Sequence, residues 1–165
     1  MARSVDSAKL FGLLLLFWLL LNGSVAPGTI GVGAVVAALI VVFFGGSLSF
    51  LSGHRLTPDA LIATLFYLGY FLRELVRANL AMARIVLSPS LPIRPAIVKL
   101  RTRLTDPVAR LLLANSITLT PGTLSVELKG EWLYVHWVSA TTTDPEEATR
   151  EIVSGFEKYL EVMYG

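Results

Sequence analysis

The chain has 165 residues, of which 54% are hydrophobic and only 16% are charged. This composition is typical of a membrane protein and leaves room for no more than one small soluble domain. The absence of cysteine excludes a disulfide framework, a thiolate metal site and a cysteine nucleophile. The formal net charge is only +2. The basic residues flank apolar segments, as membrane topology requires, so we expect no nucleic-acid partner.

Residues 10–51 contain no Asp, Glu, Lys, Arg or His, and a Gly/Pro-containing break at 22–29 divides them. A membrane-spanning helix needs ~20 apolar residues, so the pattern predicts a hairpin of two helices, about 10–21 and 30–51. Thr29 is expected to cap the second helix. A signal peptide is the alternative for the first segment, but Pro27 would directly follow the cleavage site, so we expect an uncleaved helix.

The second predicted helix is rich in small residues at close helical spacing, and these predict a packing face for the first helix or a partner subunit. They are Gly31, Gly33, Ala34, Ala37 and Ala38.

A third helix is predicted over 58–87, with Thr57 as its cap and Pro58 in its first turn. It carries one polar stripe, with Arg73 beside it: Tyr67, Tyr70, Glu74, Arg77 and Arg84. Such a helix either lies in the membrane interface or spans with its stripe turned to a partner. Its uncharged part, 60–72, is too short for an ordinary span, so we favour an interfacial or partly inserted helix in contact with membrane lipids.

Positive charge is concentrated before the hairpin and after the third helix. Basic residues favour the cytoplasmic side, so the pattern predicts that the N-terminus and the C-terminal domain are both cytoplasmic. The membrane region is then 1–87, and a proline-rich linker, 88–95, separates it from a domain at 96–165.

This domain is predicted to be a small α+β unit of order β-α-β-β-α, a ferredoxin-like fragment. Strands are expected at 96–101, 123–129 and 132–138, and the last two form a hairpin around Gly130-Glu131. One helix is expected from Pro107 to about Ala114, with Thr105 or Asp106 as its cap. A last helix is expected to open at Asp144-Pro145-Glu146-Glu147, with acidic residues at its positive end. Leu124, Val126 and Leu128 are expected on one face of their strand.

The connector between the first of these helices and the hairpin reads Ala114-Asn115-Ser116-Ile117-Thr118-Leu119-Thr120-Pro121-Gly122-Thr123. Asn115 and Ser116 are expected to end the helix, and Ile117 and Leu119 to point inward. Pro121-Gly122 suits a type II turn with a positive φ at the glycine. One glycine without a nearby lysine excludes a phosphate loop.

As a whole, this string resembles the signature of the E subunit of the Mrp/Mnh-type multisubunit Na⁺(cation)/H⁺ antiporters. The apolar N-terminal half, both hairpin strands and the acidic start of the last helix also match, so the resemblance covers nearly the whole chain. It implies a complex in the bacterial cytoplasmic membrane that exchanges cations for protons. In that family the large subunits carry the ion paths, and the small ones serve assembly or activity.

The resemblance therefore implies an accessory subunit, with the other subunits as partners. The alternatives are a membrane-anchored ligand-binding or regulatory module and, with least support, a membrane-bound enzyme. His54 and His136 each lack the second ligand that a metal site needs and the nucleophile that a catalytic base would serve. We expect no cofactor, no metal and no catalytic residue.

Partner contacts are predicted at two places. The candidates are Arg73, Glu74, Arg77, Asn115, Thr118, Thr120, Pro121, Gly122 and Thr123. Glu74 and Arg77 lie three residues apart and are expected to pair. The threonines serve either a partner or the amides of their own turn.

Overall fold

A computed structural model describes residues 2–45, 54–55 and 57–165. It divides the chain into two compact units, Met1–Ser52 and Gly53–Gly165. The predicted end of the second helix, at residue 51, lies outside the described residues.

The first unit is a hairpin of α1, Ala2–Asn22, and α2, Pro27–Phe44. The prediction that the first helix starts at residue 10 is wrong, because the charged N-terminal residues are helical too and Asp6 pairs with Lys9 at 3.6 Å. The prediction of Thr29 as a cap is also wrong. Pro27 occupies the first turn, where its fixed φ suits a helix start and its missing N–H costs nothing.

The two helices of the hairpin meet at Trp18. Its indole N–H donates to the Thr29 carbonyl at 3.0 Å, and its ring lies over Gly33, where a Cβ atom would clash with Trp18 Cδ1. The predicted small-residue face therefore packs, at this position, against the first helix. Among the described residues, α2 is the helix whose length and apolar composition suffice to cross a bilayer.

The second unit combines a long helix with an α+β sandwich. Its elements are α3 (Pro58–Val86), β1 (Ala96–Arg101), α4 (Pro107–Leu119), β2 (Thr123–Lys129), β3 (Trp132–Trp137), α5 (Pro145–Ile152) and α6 (Ser154–Tyr164). The strands form an antiparallel sheet of order β1-β3-β2. Because β3 lies between the two strands that α4 connects, the arrangement is a split β-α-β unit.

The core of this unit lies between the sheet and its helices. Its fully buried large side chains are Val98, Leu100, Leu113, Ile117, Leu133, Val135, Val153 and Leu160. The single face predicted for β2 is wrong, because a β-bulge between Ser125 and Glu127 reverses the alternation. Leu124 lies opposite His136, whereas Leu128 lies opposite the buried Leu133.

Two helix boundaries also differ from the prediction. α4 continues through Asn115 and Ser116 to Leu119, and Leu119 is exposed rather than inward-facing. The last helix is divided at Val153 into α5 and α6. The predicted cap Thr57 is confirmed, and of the two candidates Thr105 and Asp106 it is Asp106 that caps α4. Asp144 caps α5 in the same way, since each of these side chains accepts a backbone N–H of the first turn.

The long helix α3 packs against α6, so its contacts group it with the α+β sandwich. Tyr67 and Tyr70 both make edge-to-face contacts with Phe156, at ring-centroid distances of 6.2 and 5.0 Å. Gly155 allows this approach, because a Cβ atom there would clash with the Tyr70 hydroxyl. This half of the predicted polar stripe therefore faces the chain's own domain.

Candidate functional site: a groove between the long helix and the turn before β2

The turn from α4 into β2 has the geometry that Pro121-Gly122 predicted. Thr123 N–H donates to the Thr120 carbonyl at 3.2 Å, and Gly122 has φ 95°. A positive φ at the third turn residue is the mark of a type II turn and favours glycine. Gly122 also lies against α3, since a Cβ atom there would be 2.9 Å from Met82 Cε.

The threonine hydroxyls of this region bond to their own backbone. Thr118 accepts from the Ser125 amide at 3.1 Å, Thr120 donates to the Ser116 carbonyl at 2.8 Å, and Thr123 donates to the Ile117 carbonyl at 2.6 Å. These bonds fix the path from helix to strand. Two roles were predicted for the threonines, contact with a partner and hydrogen bonding to their own turn. The hydrogen bonds described here belong to the second role.

The charged cluster on α3 is arranged around Glu74. Its carboxylate lies 3.3 Å from Arg77 and 3.9 Å from Arg73, which confirms the expected pairing with Arg77. The Glu74 side chain is 16% exposed, whereas both arginines are more than 70% exposed. Burial raises the pKa of the adjacent Tyr70 hydroxyl, and the Glu74 charge raises it further.

A groove of about 250 Å³ brings the two predicted clusters together. Glu74 and Arg77 line it from α3, and the turn residues 120–123 line it from the sandwich. Most of its remaining lining is apolar: Ala78, Ala81, Met82, Ile85, Ile117, Trp137, Ile152 and Phe156. Arg73, Asn115 and Thr118 were predicted with these residues but do not line the groove.

Two polar contacts within the second unit escaped sequence reasoning. Tyr67 and Ser116 share a hydrogen bond of 2.5 Å between their hydroxyls, which ties α3 to α4. Ser116 is 5% exposed, and no local signal marks it, because its partner is 49 residues away.

Glu157 is the second of these polar residues. It is 4% exposed, and its Oε1 accepts from the Thr102 hydroxyl at 2.6 Å and from the Arg103 amide at 2.7 Å. The sequence did contain a signal that Glu157 is buried. It lies four residues after Val153 and three before Leu160, and this spacing places all three on one helix face.

The groove has the features of a binding surface, because its lining is mostly apolar and includes a few polar and charged side chains. Among residues 2–45, 54–55 and 57–165 there is no group of three or more His, Cys, Asp and Glu that could hold a metal ion. His54 lies 3.2 Å from Thr64 Oγ1 and makes a T-shaped ring contact with Tyr164. His136 lies opposite Leu124 and Ile97 in the sheet.

A family model described as Na⁺/H⁺ ion antiporter subunit matches residues 11–163. The E subunit of the Na⁺/H⁺ antiporter of Bacillus subtilis is 31% identical over 146 residues, which are 87% of this chain and 89% of that protein. The protein of the same name from Alkalihalophilus pseudofirmus is 36% identical over 93 residues, which are 56% of this chain and 59% of that protein.

A solved structure is also similar. It is a chain of the membrane-bound sulfane sulfur reductase, described as an archaeal respiratory membrane complex. The TM-score is 0.85, the sequence identity is 34%, and the superposition covers 98% of this chain and 99% of that one.

Proposed function

Because the chain belongs to the Na⁺/H⁺ ion antiporter subunit family, we propose that it is an accessory subunit of an Mrp-type cation/proton antiporter and has no ion path of its own. The carrying observation is that residues 10–51 contain no Asp, Glu, Lys, Arg or His. Ion transfer across a bilayer needs ionisable or oxygen-rich groups at membrane depth. Of the two acidic residues on α3, Asp59 lies in its first turn and Glu74 is paired with Arg77 beside the α+β sandwich.

This proposal is tested by transport in vesicles that contain the assembled complex. Glu74→Gln removes the charge of the carboxylate and keeps its shape. We expect cation-dependent proton transport to stay within a few-fold of wild type, because the cluster contacts protein or lipid headgroups rather than moving ions. A complete loss of transport in a normally assembled complex would show that Glu74 belongs to a proton path.

The groove beside Gly122 is the proposed docking surface for a neighbouring subunit. Its mostly apolar lining, together with the exposed Arg77 side chain, resembles the composition of a protein interface, in which arginine is enriched. A docking role for the groove can be tested without changing the turn. Ala81 is exposed and lines the groove, whereas Asn115 is exposed and lies outside it.

The test compares Ala81→Lys with Asn115→Lys in the full chain. We expect Ala81→Lys to reduce co-purification with the large subunits, while Asn115→Lys does not, and both to melt like wild type. Equal yields for the two variants would refute docking in the groove. Loss with Asn115→Lys alone would place the contact elsewhere on α4.

We also propose that the N-terminus and the second unit are both on the cytoplasmic side, as the basic residues at both ends of the membrane region favour. The chain has no cysteine, so single cysteines can be introduced cleanly. Val25→Cys in the exposed hairpin turn should react with an impermeant maleimide added outside the cell. Ser154→Cys should react only after the membrane is opened. The reverse pattern would overturn the proposed topology.

A second candidate function is favoured by the likeness to the respiratory complex, which covers nearly the whole of both chains. In this case the chain is a subunit of a respiratory membrane complex. Purification of the native complex and identification of its members separates the two candidates. Redox subunits in equal amounts would favour the second, and antiporter subunits alone would favour the first.

A further inference from the structure

The side of α3 that faces away from α6 is mostly apolar, and the polar residue on it, Asn79, donates its amide to the Leu75 carbonyl of its own helix. Ala60, Ala63, Tyr67 and Phe71 contribute to the packed side. The other side carries large apolar residues that are at least half exposed: Leu61, Ile62, Leu65, Phe66, Leu68, Leu72, Val76, Leu80 and Val86. Exposed apolar surface of this extent marks an interaction site.

Three arginines form a row along one border of this apolar side. Arg73, Arg77 and Arg84 are spaced by four and seven residues, so at 100° per residue they fall within about 40° of one another. All three are exposed. The acidic Glu74 is directed instead toward the groove, where it is largely buried. The exposed border of the helix is therefore cationic over residues 73–84, while the exposed Asp59 stands in the first turn of α3.

The combination fixes the chemistry of the partner. A helix with an apolar face and a cationic border matches the boundary between acyl chains and anionic headgroups, where the apolar side chains enter and the arginines reach the phosphates. The uncharged stretch 60–72 is too short to span, and the opposite side of α3 is already occupied by α6.

We propose that α3 lies in the plane of the membrane surface, binds anionic phospholipid through the Arg73/Arg77/Arg84 row, and holds the α+β sandwich against the bilayer. A basic residue near an anionic surface contributes roughly fivefold to binding. The proposal holds for either complex considered above.

Site-directed spin labelling tests it in the full chain, which has no cysteine of its own. Labels at Leu65→Cys and Leu72→Cys report the apolar side of α3. Leu111→Cys, on an exposed leucine of α4, is the matched control. The measured quantity is the ratio of a label's accessibility to oxygen to its accessibility to a water-soluble nickel chelate. In vesicles of phosphatidylglycerol and phosphatidylcholine, we expect this ratio to be several-fold higher at the α3 labels than at the α4 label.

Lipid charge supplies the second readout. The inserted fraction of the α3 labels should fall several-fold in vesicles of phosphatidylcholine alone. In the R73Q/R77Q/R84Q variant, the inserted fraction should be the same in both kinds of vesicle. Equal nickel accessibility at Leu65, Leu72 and Leu111 would overturn the proposal. In vesicles that contain the assembled complex, an immobilised label at Leu65 that oxygen does not reach would also overturn it, because a protein subunit would then cover this side.

Discussion

The α1–α2 hairpin and the Gly53–Gly165 unit are both rich in apolar residues but place them differently. In the hairpin, leucine and valine side chains point outward around both helices, and an indole over a glycine supplies a close contact. In the second unit, apolar side chains converge on a core that also encloses the hydroxyl of Ser116 and the carboxylate of Glu157.

The difference matches the two solvents proposed for these regions, lipid for the hairpin and water for the second unit. A spanning helix gains nothing by hiding leucine from lipid, so its contacts depend on small residues and close approach. A domain in water gains about 25 cal/mol per Å² of apolar surface that it buries. The helix α3 combines both cases, since one side packs as in a soluble core and the other stays apolar and exposed.

The largest expected effect of a single substitution is at Glu157 in the second unit. Glu157→Ala leaves the Thr102 hydroxyl and the Arg103 amide without their acceptor and should cost roughly 3 kcal/mol of unfolding free energy. Glu157→Gln keeps an acceptor and should cost less. Urea unfolding of the detergent-solubilised chain, followed by tryptophan fluorescence, measures both. Equal losses for the two variants would show that hydrogen bonding is not what Glu157 supplies.

The next effect tests the close approach of α3 to α6. Gly155→Ala should destabilise the second unit by about 1–3 kcal/mol, because its methyl group meets the Tyr70 hydroxyl. Gly69→Ala is the matched control on α3, where no atom lies within 4 Å, and alanine's helix propensity should stabilise by up to ~1 kcal/mol. The same unfolding measurement applies. A stabilising Gly155→Ala would mean that Tyr70 moves aside without cost.

A smaller effect is expected for the hydrogen bond between α3 and α4. Tyr67→Phe and Ser116→Ala should each cost about 1 kcal/mol, and the double variant about as much as either single one, because both remove the same bond. A double-mutant cycle gives the coupling energy. Strictly additive losses would show that the two hydroxyls do not stabilise each other.

The smallest effect on the whole chain is expected in the hairpin. Gly33→Ala should displace the Trp18 ring and weaken its bond to the Thr29 carbonyl, whereas Gly31→Ala, with no atom within 4 Å, should not. The Trp18 indole N–H resonance of the ¹⁵N-labelled protein in micelles reports this bond. The stability of the second unit should change by less than ~0.5 kcal/mol, since the atoms nearest Gly33 belong to Trp18 of its own unit and sites without shared partners act independently. A larger change in the unfolding free energy of the second unit would show that the two regions are energetically coupled.

Local chemistry was enough to predict much of the second unit. The bounds of β1 and β2, the turn at Gly130 and the cap Thr57 are confirmed, because each depends on neighbours within a few residues. The positive φ of Gly122 is of the same kind. The errors about the face of β2 and the start of α1 are also local. Neither a one-residue bulge nor helical residues ahead of an apolar segment alters the hydrophobic pattern from which these elements were predicted.

The sequence by itself determined which segments are apolar, which are amphipathic and where the chain turns, since these follow from residue type and spacing. Only the tertiary structure decided what the amphipathic faces meet. It directed Tyr67 and Tyr70 toward α6, kept Ser116 inside a helix that its polarity was expected to end, and joined Glu74 and Gly122 in one groove. The physical reason is that a side chain's partner depends on contacts between residues far apart in the chain, which periodicity does not encode.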